Sequence, residues 1–599
     1  MTFTEKFIRS SVLGSTSTPR SLLVVGDVTD LPSTSIGDLV VMQSLREVVS
    51  VLKNERTDQA SLLKILTGVR TQVEAFAAEL AHQECLSLCL LSMGKPGSLT
   101  QSQKLAQRQI WLGAEAEDIK TGLPQSIRNE VALGYADILL VVWDGVSIDD
   151  EVVPLLLSAA LAMKPVIWID VIGVVRVLQR ELLTKAQRHI LQCPSPPIQS
   201  LVSCFSLPIA LQNPSLFFQA IADPATFLDS SAHQRSATGK SRAGTVHKFM
   251  MALVQGRFQK ALTAVAASPI SAYRGPAWDK SEGIVASTPV LDEQFDRADV
   301  AASISAGKHR SAAWISSLAS TTAVFAAVAG AINLWSSLHG AFWALLELSL
   351  VALVVSVLWR AKNMQWHQKW IGNRFVAEQL RYTRMGLPLL AVTKSLSEPS
   401  LCVLPGTNGQ ASLAVLSEDL RLVQQTIVRM GLPSASTGSV YIASDSDMLP
   451  KLRDYVLAVV RDQVAYHHRV HDEQHKVDHI LHQLSLVFFT LTVAAIGGHF
   501  LLHADWLLIF TAFFPALAAG IHGLTTTLEI SRLADQSKVT AQHLHELSDA
   551  IKHVLNTDQS PWKNWLQLRY LTLRSAEIMS DENSQWQKLV THQKPKLPA

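Results

Sequence analysis

Seven residues are the strongest candidates for recognising a ligand: Gly26, Asp27, Ser92, Gly94, Lys95, Asp144 and Gly145. They fall where short apolar runs stop at small or charged residues, in "SLLVVGDV" (21–28), "CLSLCLLSMGK" (85–95) and "DILLVVWDG" (137–145). The chemistry they suit is phosphate recognition. A phosphate needs free backbone N–H groups at a helix start, with glycines that let it come close. Lys95 adds a cation. The turn after Gly145 reads "VSIDDEVVPLLL", so acids stand where a glycine-rich phosphate loop would be expected. Those acids complement a helix dipole and repel a phosphate. Two readings follow: a ligand cleft, or a degenerate domain kept for structure or docking.

These residues need a sheet to hold them. The runs 21–28, 85–92, 137–143 and 165–171 read as buried strands, and helical patterns fill 37–53, 57–82, 101–117, 124–136 and 151–163. Strands alternating with helices predict a parallel sheet covered on both faces. Ligands bind such sheets beyond the carboxyl ends of the strands, where strand order reverses. Asp144 and Gly145 are predicted to lie at that edge.

A second set of polar residues lies in apolar surroundings. Four runs approach or exceed the length of a bilayer crossing: 312–335, 341–359, 484–502 and 506–524. Glu347 sits inside the second run, and Asn333 near the outer end of the first. An ionisable residue at membrane depth is costly, which makes Glu347 a functional candidate. The links "SSLHG" and "HAD" are so short that the runs must form two antiparallel hairpins. Lys308, Arg310, Arg360 and Lys362 flank the first hairpin, and Arg469, Lys476, Arg532 and Lys538 the second. The positive-inside rule then places both termini in the cytoplasm. A polar helix follows each hairpin, so hairpin plus helix reads as a loose repeat.

The segment before the third run is rich in histidine. His467, His471, His475 and His479 recur every four residues and share one helix face. Metal binding, pH response and plain helix packing all use such a face. One helix seldom completes a metal shell, so no metal is assigned.

Composition sets the outer limits. Over 599 residues Lys+Arg is 52 and Asp+Glu 50, without the basic excess of a nucleic-acid-binding protein. The five cysteines form no CxxC pair and do not read as a disulfide framework. The first twenty residues lack the apolar core of a secretory signal.

"YADILLVVWDG", followed by "ALAMKPVIWID", resembles the SLOG (DprA/LOG-like) Rossmannoid superfamily, and "LLVVGDVTDLP" resembles its first strand. "FDRADVAASISAGKHRSAAW", "WIGNRFVAEQLR" and the histidine-rich stretch are similar to the two-transmembrane SLATT-type modules that accompany such sensors. The resemblance covers about two thirds of the chain. It implies sensing of a nucleotide-derived signal, coupled to a membrane effector in bacterial conflict or antiviral defence. This chain departs from it by lacking a Gly-Gly-Thr helix start after Gly145 and a His-Arg pair after Gly26. The Pro-Gly-Gly-x-Gly-Thr stretch of the hydrolytic relatives is missing too, so no enzyme is expected.

The expected fold class is an α/β Rossmannoid N-terminal domain with a parallel sheet, plus an all-α membrane region of four transmembrane helices in two hairpins. The expected units are 15–230 (Rossmannoid), 231–310 (linker and membrane-proximal helices), 311–395 (first hairpin and helix), 396–482 (helical insert), 483–555 (second hairpin and helix) and 556–599 (tail helix). The expected function is a homo-oligomeric inner-membrane sensor–effector, with a pore as one form its membrane module can take and no cofactor beyond its nucleotide-derived ligand. A membrane scaffold and a channel or transporter remain the alternatives.

Overall fold

The computed structural model describes residues 21–26, 35–54, 63–93, 103–104, 106–112, 123–146, 152–161, 164–178, 202–206, 208–209, 211, 217, 244–257, 272–276, 289–332, 340–390, 423, 426–427, 439–441, 448–503, 506–556 and 560–592. Its sheet comprises β1 (Ser21–Gly26), β2 (Lys64–Thr67), β3 (Ser87–Ser92), β4 (Arg108–Trp111), β5 (Ile138–Val142), β6 (Val166–Ile169), β7 (Val175–Val177) and β8 (Ser439–Tyr441). The strand order is β7-β6-β5-β1-β2-β3-β4-β8. Every neighbouring pair is parallel except β6 with β7. The chain builds outward from β1 to β4, then returns to lay β5 on the other side of β1. That reversal makes the gap between β1 and β5 the topological switch point of a Rossmann-like sheet.

Strands β1, β5 and β6 are buried along their whole length, as continuous apolar runs in a parallel sheet should be. Alternate residues serve opposite faces. Leu22, Val24, Leu140 and Ile167 pack under α1 (Ser35–Asn54) and α2 (Gln72–Gln83) through Val41, Leu45, Ala77 and Leu80. Leu23, Val25, Leu139 and Val141 pack under α3 (Leu123–Tyr135) and α4 (Val152–Leu161). The second core does not stop there. It runs on through Phe375, Leu380, Tyr455, Trp562 and Trp565 of the helical region.

Three strands lie where the sequence predicts helix. β2 and β4 fall inside the expected helices 57–82 and 101–117, and β8 lies in the insert expected to be helical. "KILT" and "RQIW" are too short to display a period of their own; pairing with a parallel neighbour decides them.

The helical region begins with α5 (Thr245–Val254). The first hairpin is α6 (Pro289–Ala331) and α7 (Gly340–Asn363), followed by α8 (Trp366–Gly386). The second is α9 (Met448–Leu502) and α10 (Leu507–Leu528), followed by α11 (Ile530–His553); α12 (Pro561–His592) is last. Among the described residues four helices are long and apolar enough to cross a membrane. The strongest packing among them runs α7–α6–α10–α9. The α6–α10 contact is tight because Gly520 has no side chain. Ser317 Oγ donates to Gly520 O at 3.0 Å, and an added Cβ would lie 2.8 Å from Thr321 Oγ1. Leu345, Leu348 and Val355 on α7, and Leu486, Phe489 and Val493 on α9, point outward, as lipid-facing residues do.

The repeat is visible in the backbone. α7 and α10 each give way to their polar helix through one left-handed residue, Gln365 (φ 50°) and Glu529 (φ 50°). Both first helices, α6 and α9, are far longer than a bilayer needs and extend beyond their apolar halves.

Candidate functional site

Gly26 closes β1 opposite Val142 of β5, at the switch point. A Cβ there would lie 2.9 Å from Val142 Cβ and 3.2 Å from Val73 Cγ1, so strand and helix meet only over hydrogen. Beyond Val142 the chain turns through Trp143, Asp144 and Gly145. Gly145 takes φ +78°, and a Cβ on it would press 2.9 Å from the Trp168 ring. Trp168 Nε1 donates to Trp143 O at 2.8 Å, which fixes the ring beneath the turn. Asp144 Oδ1 accepts from Val146 N at 2.9 Å. One oxygen of Asp144 is therefore committed to shaping its own loop.

Gly26, Asp144 and Gly145 are thus brought together at the edge of β1 and β5. Ser92 ends β3, two strands away, at about 10 Å by strand spacing. Asp27, Gly94 and Lys95 lie outside the described residues, as does Asn333.

The same edge carries a polar cluster that sequence reasoning missed. Thr67 ends β2 and donates to Val24 O at 3.0 Å, and Gly68 follows. A Cβ on Gly68 would collide with Arg128 Nη1 and Glu74 Oε2. Glu74 stands in the first turn of α2, where Thr71 caps the helix by accepting from Glu74 N at 3.2 Å. Glu74 Oε2 accepts from Arg70 N at 2.8 Å, a variant of the capping box. Arg128 reaches across from α3. Its Nη2 donates to Glu74 Oε1 at 2.8 Å and its Nη1 to Oε2 at 3.3 Å. Nε and Nη2 both donate to Asn129 Oδ1, at 3.1 and 2.8 Å. The pair is buried, with side-chain exposures of 4% and 1%.

Four buried polar atoms at this edge have no hydrogen-bond partner among the described residues: Ser92 Oγ, Trp111 Nε1, Gln125 Nε2 and Asn129 Nδ2. Ser92 and Trp111 are the paired last residues of β3 and β4. Gln125 and Asn129 lie in the first two turns of α3, which starts at the carboxyl edge and runs back toward the amino edge, where Asp137 meets Ser21. Buried polar groups are normally satisfied, so an unmet set on one rim marks a place for water or ligand. Three of the four are N–H donors and suit an acceptor-rich group. The positive end of α3 lies there as well. The sequence signals were "TQVE", which reads as a cap, and "QSIRNE", a polar run at the start of an otherwise apolar helix.

The histidine-rich face of α9 packs only over its first half, since His475 and His479 are exposed. His467 is buried, His471 Nδ1 lies 2.9 Å from Ala534 O of α11, and His471 stacks on His475 at 5.6 Å. Glu347 is half-buried on α7, along the stripe that includes the buried Trp343, and makes no hydrogen bond or ion pair with any described residue.

Comparison with family models, curated proteins and solved structures gives no match to this chain.

Proposed function

We propose that the protein is a non-catalytic sensor–effector of a bacterial inner membrane. In this reading a nucleotide-derived ligand binds at the carboxyl edge of the sheet and alters the packing of the membrane helices. The observation that carries it is the coincidence of the β1/β5 switch point with unmet buried donors on α3. The SLOG-like and SLATT-like stretches support the same ligand class. Gln125, Asn129, Trp111 and Ser92 are the contact candidates from the structure, beside Gly26, Asp144 and Gly145 at the same edge; Asp27, Gly94 and Lys95 are candidates from the sequence alone. Both termini face the cytoplasm, by the basic flanks of the hairpins.

Coupling has two physical routes. α3 carries the site residues and, at Glu130, an ion pair of 3.3 Å to Arg569 of α12. α12 in turn meets α8, where Gln379 Nε2 donates to Ser580 Oγ at 2.8 Å in a buried contact, and it packs on α11. The second route is β8, which extends the sheet at β4 and leads within seven residues into α9. Ligand control requires that the ligand favour one of two packings.

A second reading is a membrane scaffold with a degenerate Rossmann-like domain. It draws on the Asp144 oxygen spent on its own turn and on the absence of a glycine-rich helix start. Melting of the full-length protein against nucleotides, dinucleotides and cyclic oligonucleotides separates the two, since a ligand of the folded state raises the midpoint by mass action. The sensor reading expects a rise that Gln125→Ala removes. A scaffold melts at the same temperature throughout.

A further inference from the structure

The two hairpins differ at the end that faces the sheet domain. The first has no Asp or Glu from Val300 to Leu346 or from Leu348 to Ala377, and holds Lys308, Arg310, Arg360, Lys362 and Lys369 there. The second mixes signs, with Glu473, Asp478 and Glu529 beside Lys476 and Arg532. Within the first collar Arg310 stands apart. It is half-buried and lies over Trp370, with Cζ 4.9 Å from the ring centroid. It makes no hydrogen bond or ion pair with any described residue. Arg374, on the neighbouring helix, shows the usual alternative: it binds Asp299 at 3.2 Å and Glu378 at 2.5 Å. A guanidinium withdrawn from water without an anion is a poor arrangement unless one arrives.

The surroundings offer donors: the Tyr466 phenol interacts with Arg310, and the acids nearby, Asp299 and Glu378, are engaged by Arg374. Trp314, one turn beyond Arg310, donates from Nε1 to His247 Nδ1 at 3.1 Å. His247 is neutral, because burial and then the charges of Arg310 and Lys248 hold its pKa down at about 3. An imidazole that accepts at Nδ1 keeps its proton on Nε2, which remains a donor. His309 and His367 meet N to N at 3.1 Å, which also needs an unprotonated acceptor. α5 begins at Gly244 (φ +83°), and its third N–H, on His247, donates to Ser311 Oγ of α6 at 3.3 Å. That start is seated against α6, since a Cβ on Gly244 would lie 3.0 Å from Gly307 Cα, three residues before Arg310. A guanidinium with no acid partner, set beside neutral donors, is a site for an anion. The uncharged run of α6 begins at Ser311, and Trp314 and Trp370 lie at the level where interfacial indoles gather.

We propose that the α5–α6–α8 joint binds the phosphate of an anionic phospholipid in the leaflet facing the sheet domain, with Arg310 as its charge partner. A lipid phosphate, unlike a free one, is delivered at the depth where the apolar run starts. This site is independent of the nucleotide reading of the sheet edge.

The test uses the full-length protein in phosphatidylcholine nanodiscs, with phosphatidylglycerol titrated in and bound lipid counted by native mass spectrometry. Wild type is expected to retain phosphatidylglycerol over phosphatidylcholine. Arg310→Gln should weaken that retention about tenfold, the scale of one charge-assisted contact. Lys308→Gln removes an equal charge from the exposed side of the same collar and should keep it. Inorganic phosphate should not compete. Equal retention by Arg310→Gln, equal loss by Lys308→Gln, or displacement by inorganic phosphate would each overturn the proposal. If Arg310→Gln does not fold, Arg310→Lys keeps the charge without the planar fork. It should then show retention between those of wild type and the phosphatidylcholine background, and retention equal to wild type would count against the site.

Discussion

Arg569, on the last helix, forms an ion pair with Glu130 at 3.3 Å, one residue beyond Asn129 and two beyond Arg128. A single helix, α3, therefore presents the buried polar cluster at the sheet edge and grips the helical region. Arg569 is nearly buried and Glu130 about one third exposed. A double-mutant cycle with Glu130→Ala and Arg569→Ala should give a coupling of about 1 kcal/mol by chemical denaturation. Additive single effects would mean that the pair does not bear on the joint.

The Glu74–Arg128 pair should matter more. Removing one member leaves the other charged, buried and unpaired, which costs about 3–5 kcal/mol. Arg128→Met alone is expected to lower the denaturation midpoint sharply. Adding Glu74→Leu should recover a large part of the loss, because no orphan charge remains. No recovery would show that the pair is held for something other than mutual neutralisation.

Gly145 is fixed by its conformation and by the Trp168 ring beneath it. Gly145→Ala should cost more than about 1 kcal/mol and should loosen the Asp144 turn. A midpoint equal to wild type would show that the turn relaxes freely.

Acid should loosen the α5–α6 joint. His247 in the folded protein takes its proton only near pH 3, against an ordinary 6.5 when unfolded. Between those values the unfolded state binds more protons, so the stabilisation is complete above about 6.5 and is lost as pH falls toward 3. Protease cleavage around α5 should rise across that interval in wild type and rise less in His247→Gln, where the buried His309–His367 pair still titrates over the same range. A flat wild-type profile would contradict the neutral, buried imidazole.

Much of the architecture was legible in the chain. The four long apolar runs announce themselves by length, and β1, β3, β5 and β6 by continuous apolar character. β2 and β4 were not, since four residues carry no period and the decision lies with their neighbours in the sheet. β8 was hidden because its partner is more than three hundred residues away in the chain. At the site, Gly26, Asp144 and Gly145 were readable as strand ends. Glu74 and Arg128 were not, because "TQVE" and "QSIRNE" mark a helix cap and a polar turn but not the ion pair that joins them across the fold. The structure also alters the role first assigned to Asp144, whose carboxylate is partly spent on Val146 N. Its neighbours across the rim, Gln125 and Asn129, have the unmet donors.

The central claim is that occupancy of the sheet edge controls the membrane helices. It is tested most directly by dye release from vesicles carrying the full-length protein, run with the nucleotide panel. The account predicts that a nucleotide which raises the melting midpoint also changes release. Gln125→Ala should remove both effects, and Arg569→Ala should spare binding while blunting release. Release that stays constant while a nucleotide binds would contradict the account and favour the scaffold.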